Sequence, residues 1–234
     1  MLRLGVPGGT RADIEQALRE QRDEFVYLQM FTPVSMGAES AATQFRGTDA
    51  ESRARLEYAE RRAFHARMWS AIVAEVLAAI EERFGRPERS ELALFFATDV
   101  IGPARADRMA RALELFWEGH YDDSAHILVP RIESAIRELA RLAGTPVIRE
   151  PVGIEPGGAR SLGTIMLALR DGFPLPDWHD YLFNLLADPL GLNLRNVIAH
   201  GLRPRIGWEH AALLIHAACF LTLVHAGVPE SEEG

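Results

Sequence analysis

Residues 49–84 run for 36 positions without a glycine or a proline. Asp49 opens the run, and Gly85 and Pro87 close it. A stretch of that length with helical spacing and stop signals at its end predicts one long helix. Its first part is charged and its second part apolar (Met68, Trp69, Ile72, Val73, Val76, Leu77, Ile80). The expectation is an apolar end packed into a core and a charged end that projects. A helix of this kind needs other helices to cover it, and the rest of the chain supplies them. Helical spacing marks Arg11–Met30, with Thr10 as N-cap and Asp13 three residues on. It marks Ser90–Ile101, Ala104–Trp117 after Pro103, and Tyr121–Leu142 with Pro130 inside as a kink or a break. Ser161 caps a segment to Leu169, and Asp177–Leu186, an element begun by Asp188-Pro189 and ended by Gly201, and Trp208–Val224 follow. Thr32–Gly47 reads as a linker or mobile loop, Pro146–Arg149 as a short strand or hairpin, and Glu230–Gly234 as an acidic tail. The fold class is therefore all-α, with seven or eight helices in a bundle.

The 234 residues carry a net charge of -8, and 48% are hydrophobic. That balance supports a sizeable core and argues against a general nucleic-acid coat protein, which would present a broad basic face. All 25 basic residues are arginine, as codon bias in a GC-rich genome would produce. Cys219 is the only cysteine and lies in an apolar run, so it reads as a small buried hydrophobe. The start lacks the pattern of a secretion signal, and no apolar stretch is read as long enough to span a bilayer. A cytoplasmic location with no membrane partner is expected.

Chemistry concentrates in Gly191–Leu202, which sets Arg195, Asn196 and His200 in one short apolar element. Guanidinium, carboxamide and imidazole together can grip a phosphate and move a proton beside it. Spacing alone decides little, because Arg205 and His210 repeat it. Context adds that Asn196 and His200, four apart, share a helix face. Arg195 is turned roughly 140° from His200 and must curl to reach the same pocket. Leu192, Leu194, Val197 and Ile198 seat the element against the core.

The string Leu194-Arg195-Asn196-Val197-Ile198-Ala199-His200-Gly201 resembles the Arg-Asn-x-x-x-His signature of the HEPN superfamily. With Asp188–Asn193 and Leu202 it is similar to one member, domain-of-unknown-function family 4209. Glu118-Gly119-His120-Tyr121, then Pro130-Arg131-Ile132-Glu133 and Arg137, resemble a second block of that family. Ser161-Leu162-Gly163-Thr164 resembles a third. The resemblance covers about Ser90 to Arg205 and implies a HEPN-type bundle at 90–226. It is preceded by an N-terminal helix and mobile linker at 1–48 and the long helix at 49–89, and followed by a tail at 227–234. That domain often closes longer chains, so a short or truncated form is expected.

The implied activity is metal-independent RNA cleavage by attack of the 2′-hydroxyl on the adjacent phosphate, leaving a 2′,3′-cyclic phosphate. His200 would be the general acid/base, Arg195 would hold the phosphate, and Asn196 would orient His200 or a phosphate oxygen. Glu133 and Arg137 would support them, with Glu133 pairing with Arg195 or fixing the His200 tautomer. Arg160 and Arg203 would form the substrate rim. No cofactor is implied. The implied partners are RNA, a second copy of the chain completing a composite site, and an antitoxin or other regulatory protein in a toxin or phage-defence setting. The alternative is a noncatalytic HEPN module for nucleotide binding, dimerisation or partner assembly.

Other constellations read as structural. His120 and His126 flank Asp122 and Asp123 without metal-ligand spacing, and His210, His216 and His225 form no tight pair. The glycines of 153–163 lack the lysine of a phosphate loop. Trp178 and Trp208 are able to stack on bases, with buried packing as the default reading.

Overall fold

The computed structural model describes residues 5–27, 34–36, 44–46, 49–151, 153 and 156–224. Among them are nine α-helices: α1 (Arg11–Glu24), α2 (Ala50–Phe84), α3 (Arg89–Phe96), α4 (Pro103–Trp117), α5 (Tyr121–Leu142), α6 (Leu162–Leu169), α7 (Pro176–Leu186), α8 (Leu194–Ala199) and α9 (Trp208–Leu221). Two short antiparallel ribbons accompany them: β1 (Val34–Met36) with β2 (Gln44–Arg46), and β3 (Ile148–Arg149) with β4 (Gly158–Ala159). The class is all-α.

α9 organises the rest. From Ala211 to Leu221 it is apolar on every side apart from His216, and every one of these residues is buried. A helix hydrophobic all round must be surrounded, and α2, α4 and α5 do this. α5 turns Leu128, Ile132, Ala135, Ile136 and Leu139 into the same core. It runs unbroken across Pro130, whose ring is exposed.

α2 departs from expectation. Its buried seam is Leu56, Ala59, Ala63, Ala66, Ser70, Val73 and Leu77, a three–four spacing that runs through the charged half as well as the apolar one. The charged half does not project; it packs against α1 and α7. The apolar half packs into the core through Val73 and Leu77, as expected, while Met68, Ile72 and Phe84, with Phe64 before them, stay exposed. Small residues on the seam set the contact face, and the larger apolar residues lie off it. Among the described residues, α2 is also the one helix long and apolar enough to cross a bilayer by length and composition, a feature the sequence reading missed.

Other boundaries shift for local reasons. α1 keeps its Thr10–Asp13 capping box but ends at Glu24, and residues 28–30 lie outside the described set. Within 32–47 the backbone pairs Val34 with Arg46 as a ribbon, where a linker was expected; the remaining residues there lie outside the description, as does the tail from 225. α3 stops at Phe96. The chain then turns, with the Ile101 N–H donating to Thr98 Oγ1 (3.1 Å), and Gly102 reaches φ 69° before Pro103 starts α4. α9 ends at Leu221, short of Val224. The ribbon expected near Pro146–Arg149 is present as β3–β4.

Candidate functional site

The motif helix begins six residues later than Asp188. Asp188 accepts the Leu190 N–H at Oδ1 (3.0 Å) and so shapes a turn. The turn lies on Asn184 of α7, whose backbone carbonyl accepts from Leu192 (2.9 Å) and Asn193 (3.2 Å). Gly191 permits this approach: a Cβ there would come within 2.4 Å of that carbonyl. Asn193, the N-cap of α8, sits in the left-handed region at φ 49°, a conformation that asparagine tolerates better than most residues.

α8 is then held at its far end by Gly201. Its φ of 61° lets the Gly201 N–H reach Ile198 O (3.2 Å) and the Leu202 N–H reach Val197 O (3.0 Å). This is a Schellman cap, the stop expected of a C′ glycine. The loop beyond is tied to α5, where Asp122 Oδ1 accepts the Ile206 N–H (2.8 Å). Leu194, Val197 and Ile198 are buried, as the apolar spacing predicted.

These anchors bring four of the candidate residues together. Arg195 Nε donates to Glu133 Oε2 (2.9 Å), and Arg195 Nη1 donates to Asn196 Oδ1 (3.0 Å). Arg137 Nη2 donates to the other Glu133 oxygen (2.7 Å). Glu133 therefore bridges two guanidinium groups across α5 and α8. Burial pushes its carboxyl up, but the hydrogen bonds and charges of Arg137 and Arg195 outweigh this and hold it below the usual carboxylate range. The Arg195 side chain stays 31% exposed. Its Nη2 donates to no described group and is not enclosed, so one edge of the guanidinium faces solvent.

His200 is the C-cap of α8 and is exposed. Its backbone N–H bonds to Asn196 O (3.0 Å), but its imidazole makes no hydrogen bond among the described residues. The Asn196 amide oxygen serves Arg195, so the expected orientation of His200 by Asn196 is not seen. The two rim candidates make no hydrogen bond to the motif side chains among the described residues. Arg160 is fixed through its backbone to Val147 O (3.0 Å) at the β3–β4 ribbon. Arg203 is exposed, and its charge acts on Arg67 of α2 and on His210. Burial, then Arg203, pushes His210 below its ordinary value.

Asn184 and Gly191, which seat the motif, carried no functional signal in the sequence reading. The available clue was an amide on the apolar face of α7, among Tyr181, Leu182, Leu185 and Leu186. Trp178 stacks on Phe220 (centroids 3.8 Å apart, planes at 7°) and so is a packing residue. His120 and His126 lie exposed beside Asp123 and Asp122. No group of three or more metal-binding side chains assembles among the described residues. Cys219 is buried, and burial pushes its thiol up to about 12.

No family model matches this chain, and comparison with curated proteins and with solved structures finds no match either.

Proposed function

We propose that this chain is a HEPN-type, metal-independent endoribonuclease. One observation carries the reading: Glu133 and Asn196 hold Arg195 with one guanidinium edge free, on the same six-residue helix that ends in a solvent-facing His200. In this reading the free edge takes the scissile phosphate and offsets the charge that develops on its oxygens. His200 takes the 2′-hydroxyl proton as the 2′-oxygen bonds to phosphorus. The 5′-oxygen leaves with a proton, giving a 2′,3′-cyclic phosphate and a 5′-hydroxyl. The donor in this reading is His200 of a second copy, in the composite site that the HEPN resemblance implies. The exposed apolar stripe Phe64, Met68 and Ile72 supports the assignment of that dimer face. It flanks Arg67, whose charge acts on Arg203 just beyond the motif. A toxin or phage-defence setting, with an antitoxin or other regulatory partner, fits this activity.

The test is cleavage of total RNA in EDTA by wild type and His200→Ala. Cyclic-phosphate ends that vanish in an equally folded variant support the reading, and equal cleavage by both overturns the assignment of His200. Met68→Glu is expected to turn a dimer into a monomer by light scattering and to abolish cleavage with it. A monomeric wild type that cleaves would overturn the composite site. The second reading, a noncatalytic module for binding or assembly, is favoured by the absence, among the described residues, of a side-chain hydrogen bond between Asn196 and His200. It predicts RNA or nucleotide binding with no cleavage.

A further inference from the structure

α1 and the first turns of α2 close over α7 and the end of α6. Between them lies a cleft of about 650 Å³, a volume typical of small-molecule sites. Ties across the junction keep it formed: the Arg11 N–H donates to Asp177 Oδ1 (2.7 Å), and Tyr58 Oη donates to Asp180 Oδ2 (3.2 Å). This cleft is separate from the Glu133–Arg195 network, none of whose residues line it.

Its walls sort by burial. Arg19, Arg55 and Arg170 are exposed and form the mouth together with the exposed Glu51. Arg19 and Arg170 make no ion pair among the described residues, and Arg55 approaches only Asp188, at 4.0 Å. The floor is formed by His179, Asn184 and Asp188, which are 2%, 3% and 8% exposed. Asn184 Nδ2 donates to Ala59 O (2.9 Å), which fixes Oδ1 as an acceptor, and that oxygen is buried without a partner. His179 Nε2 lies 2.7 Å from Met166 O, so it carries the ring proton. His179 Nδ1 faces the Asp180 carboxylate, with Oδ1 at 3.7 Å. A buried acceptor without a donor, as the Asn184 oxygen is, is costly, and a ligand that supplies a donor removes that cost. A ligand matching this cleft carries negative charge at one end for the arginines and a hydrogen-bond donor at the other. Three arginines at the mouth suit a phosphate, which carries more than one charge and accepts paired N–H bonds.

The floor is also the seat of the motif. Asn184 supplies the carbonyl that holds Leu192 and Asn193, and Asp188 holds Leu190. We infer that the cleft binds a small organic phosphate bearing hydroxyl or amino donors, and that its occupancy braces the turn leading into α8. The N-terminal helices thereby form a regulatory site behind the motif.

The test is titration calorimetry on the full chain with ribose 5-phosphate and with adenosine 5′-monophosphate. Inorganic phosphate and ribose serve as the two half-ligands. At least one whole ligand is expected to bind about tenfold or more tightly than either half. Arg19→Ala combined with Arg170→Ala, both at exposed positions, is expected to weaken it about tenfold or more with an unchanged melting temperature. Which of the two binds distinguishes a sugar phosphate from a nucleotide. Absence of binding by both at millimolar concentration overturns the site, and so does binding indifferent to the double variant. Inorganic phosphate binding as tightly as the whole ligands overturns the role of the floor. Hydrogen exchange at the Leu192 and Asn193 amides is expected to slow on saturation, and unchanged exchange overturns the regulatory link. None of these readouts depends on RNA cleavage, so their failure is separable from failure of the nuclease reading.

Discussion

Arg62 and Arg195 are both arginines held by other parts of the chain, and they are held differently. Arg62 is fully buried. Its Nη1 donates to Pro7 O and Gly9 O, both at 2.9 Å, and its Nη2 donates to Tyr58 Oη at 2.8 Å. Both terminal nitrogens are spent, Nη1 pinning the N-terminal loop to α2 and Nη2 bonding within α2. Arg195 is part-exposed, is oriented by Glu133 and Asn196, and keeps Nη2 open. A guanidinium with its terminal groups bonded and no solvent exposure can only support the fold. One that is oriented yet incomplete can take a ligand, and this contrast separates structural from functional candidates among 25 arginines.

Breaking each arginine in turn should give opposite results. Arg62→Met leaves two carbonyls and a hydroxyl without donors, so urea unfolding is expected to show a loss of about 3 kcal/mol or more. RNA cleavage per folded molecule should stay near wild type. Arg195→Met should change stability by about 1 kcal/mol or less, because the pair is partly solvated. Its cleavage rate should fall on the order of 10²–10³-fold, as when a transition-state donor is removed. Equal effects of the two substitutions on either measurement would erase the distinction.

His216 sharpens the same point, because it is a buried nitrogen base without such partners. It is 2% exposed, its Nδ1 lacks a hydrogen bond, and burial pushes its pKa down to about 4. With the native value below the ordinary 6.5, its stabilising contribution is complete above that value. It declines as pH falls towards 4, by on the order of 3 kcal/mol. His216→Phe should flatten the stability–pH curve over that window; an unchanged curve would locate the acid sensitivity elsewhere.

The smallest expected effect is at the bridge. Glu133→Gln keeps the shape but removes the charge shared by Arg137 and Arg195, and cleavage is expected to drop about tenfold. Because the native Glu133 pKa lies below its ordinary 4.5, the bridge is intact above that value and is lost as pH falls through the lower native one. Wild-type unfolding should therefore show an acid-side loss beginning below about pH 4.5 that Glu133→Gln lacks.

Much of the fold was legible in the sequence because its signals are local. The Thr10 and Ser161 caps, the Gly201 stop and the all-apolar α9 needed only nearest neighbours. The charged half of α2 was misjudged because its seam there is largely alanine (Ala59, Ala63, Ala66), whose burial depends on how closely a partner helix approaches rather than on hydrophobicity. At the site, the pairing of Glu133 with Arg195 was one of two contacts expected, and 62 positions separate the partners. The spacing put Asn196 and His200 on one face, where the His200 N–H bonds to Asn196 O, while the Asn196 amide oxygen accepts from Arg195. Asn184 was invisible because its role is carried by a backbone carbonyl, which every residue has.

The central claim is that the open edge of Arg195 and the exposed His200 act on one phosphate. End-group analysis of RNA treated in EDTA with wild type, Arg195→Met and His200→Ala tests it most directly. The account predicts 2′,3′-cyclic phosphate ends with wild type and near-complete loss in both variants, with all three proteins folded. Cleavage that persists in either variant, or ends without a cyclic phosphate, would contradict it.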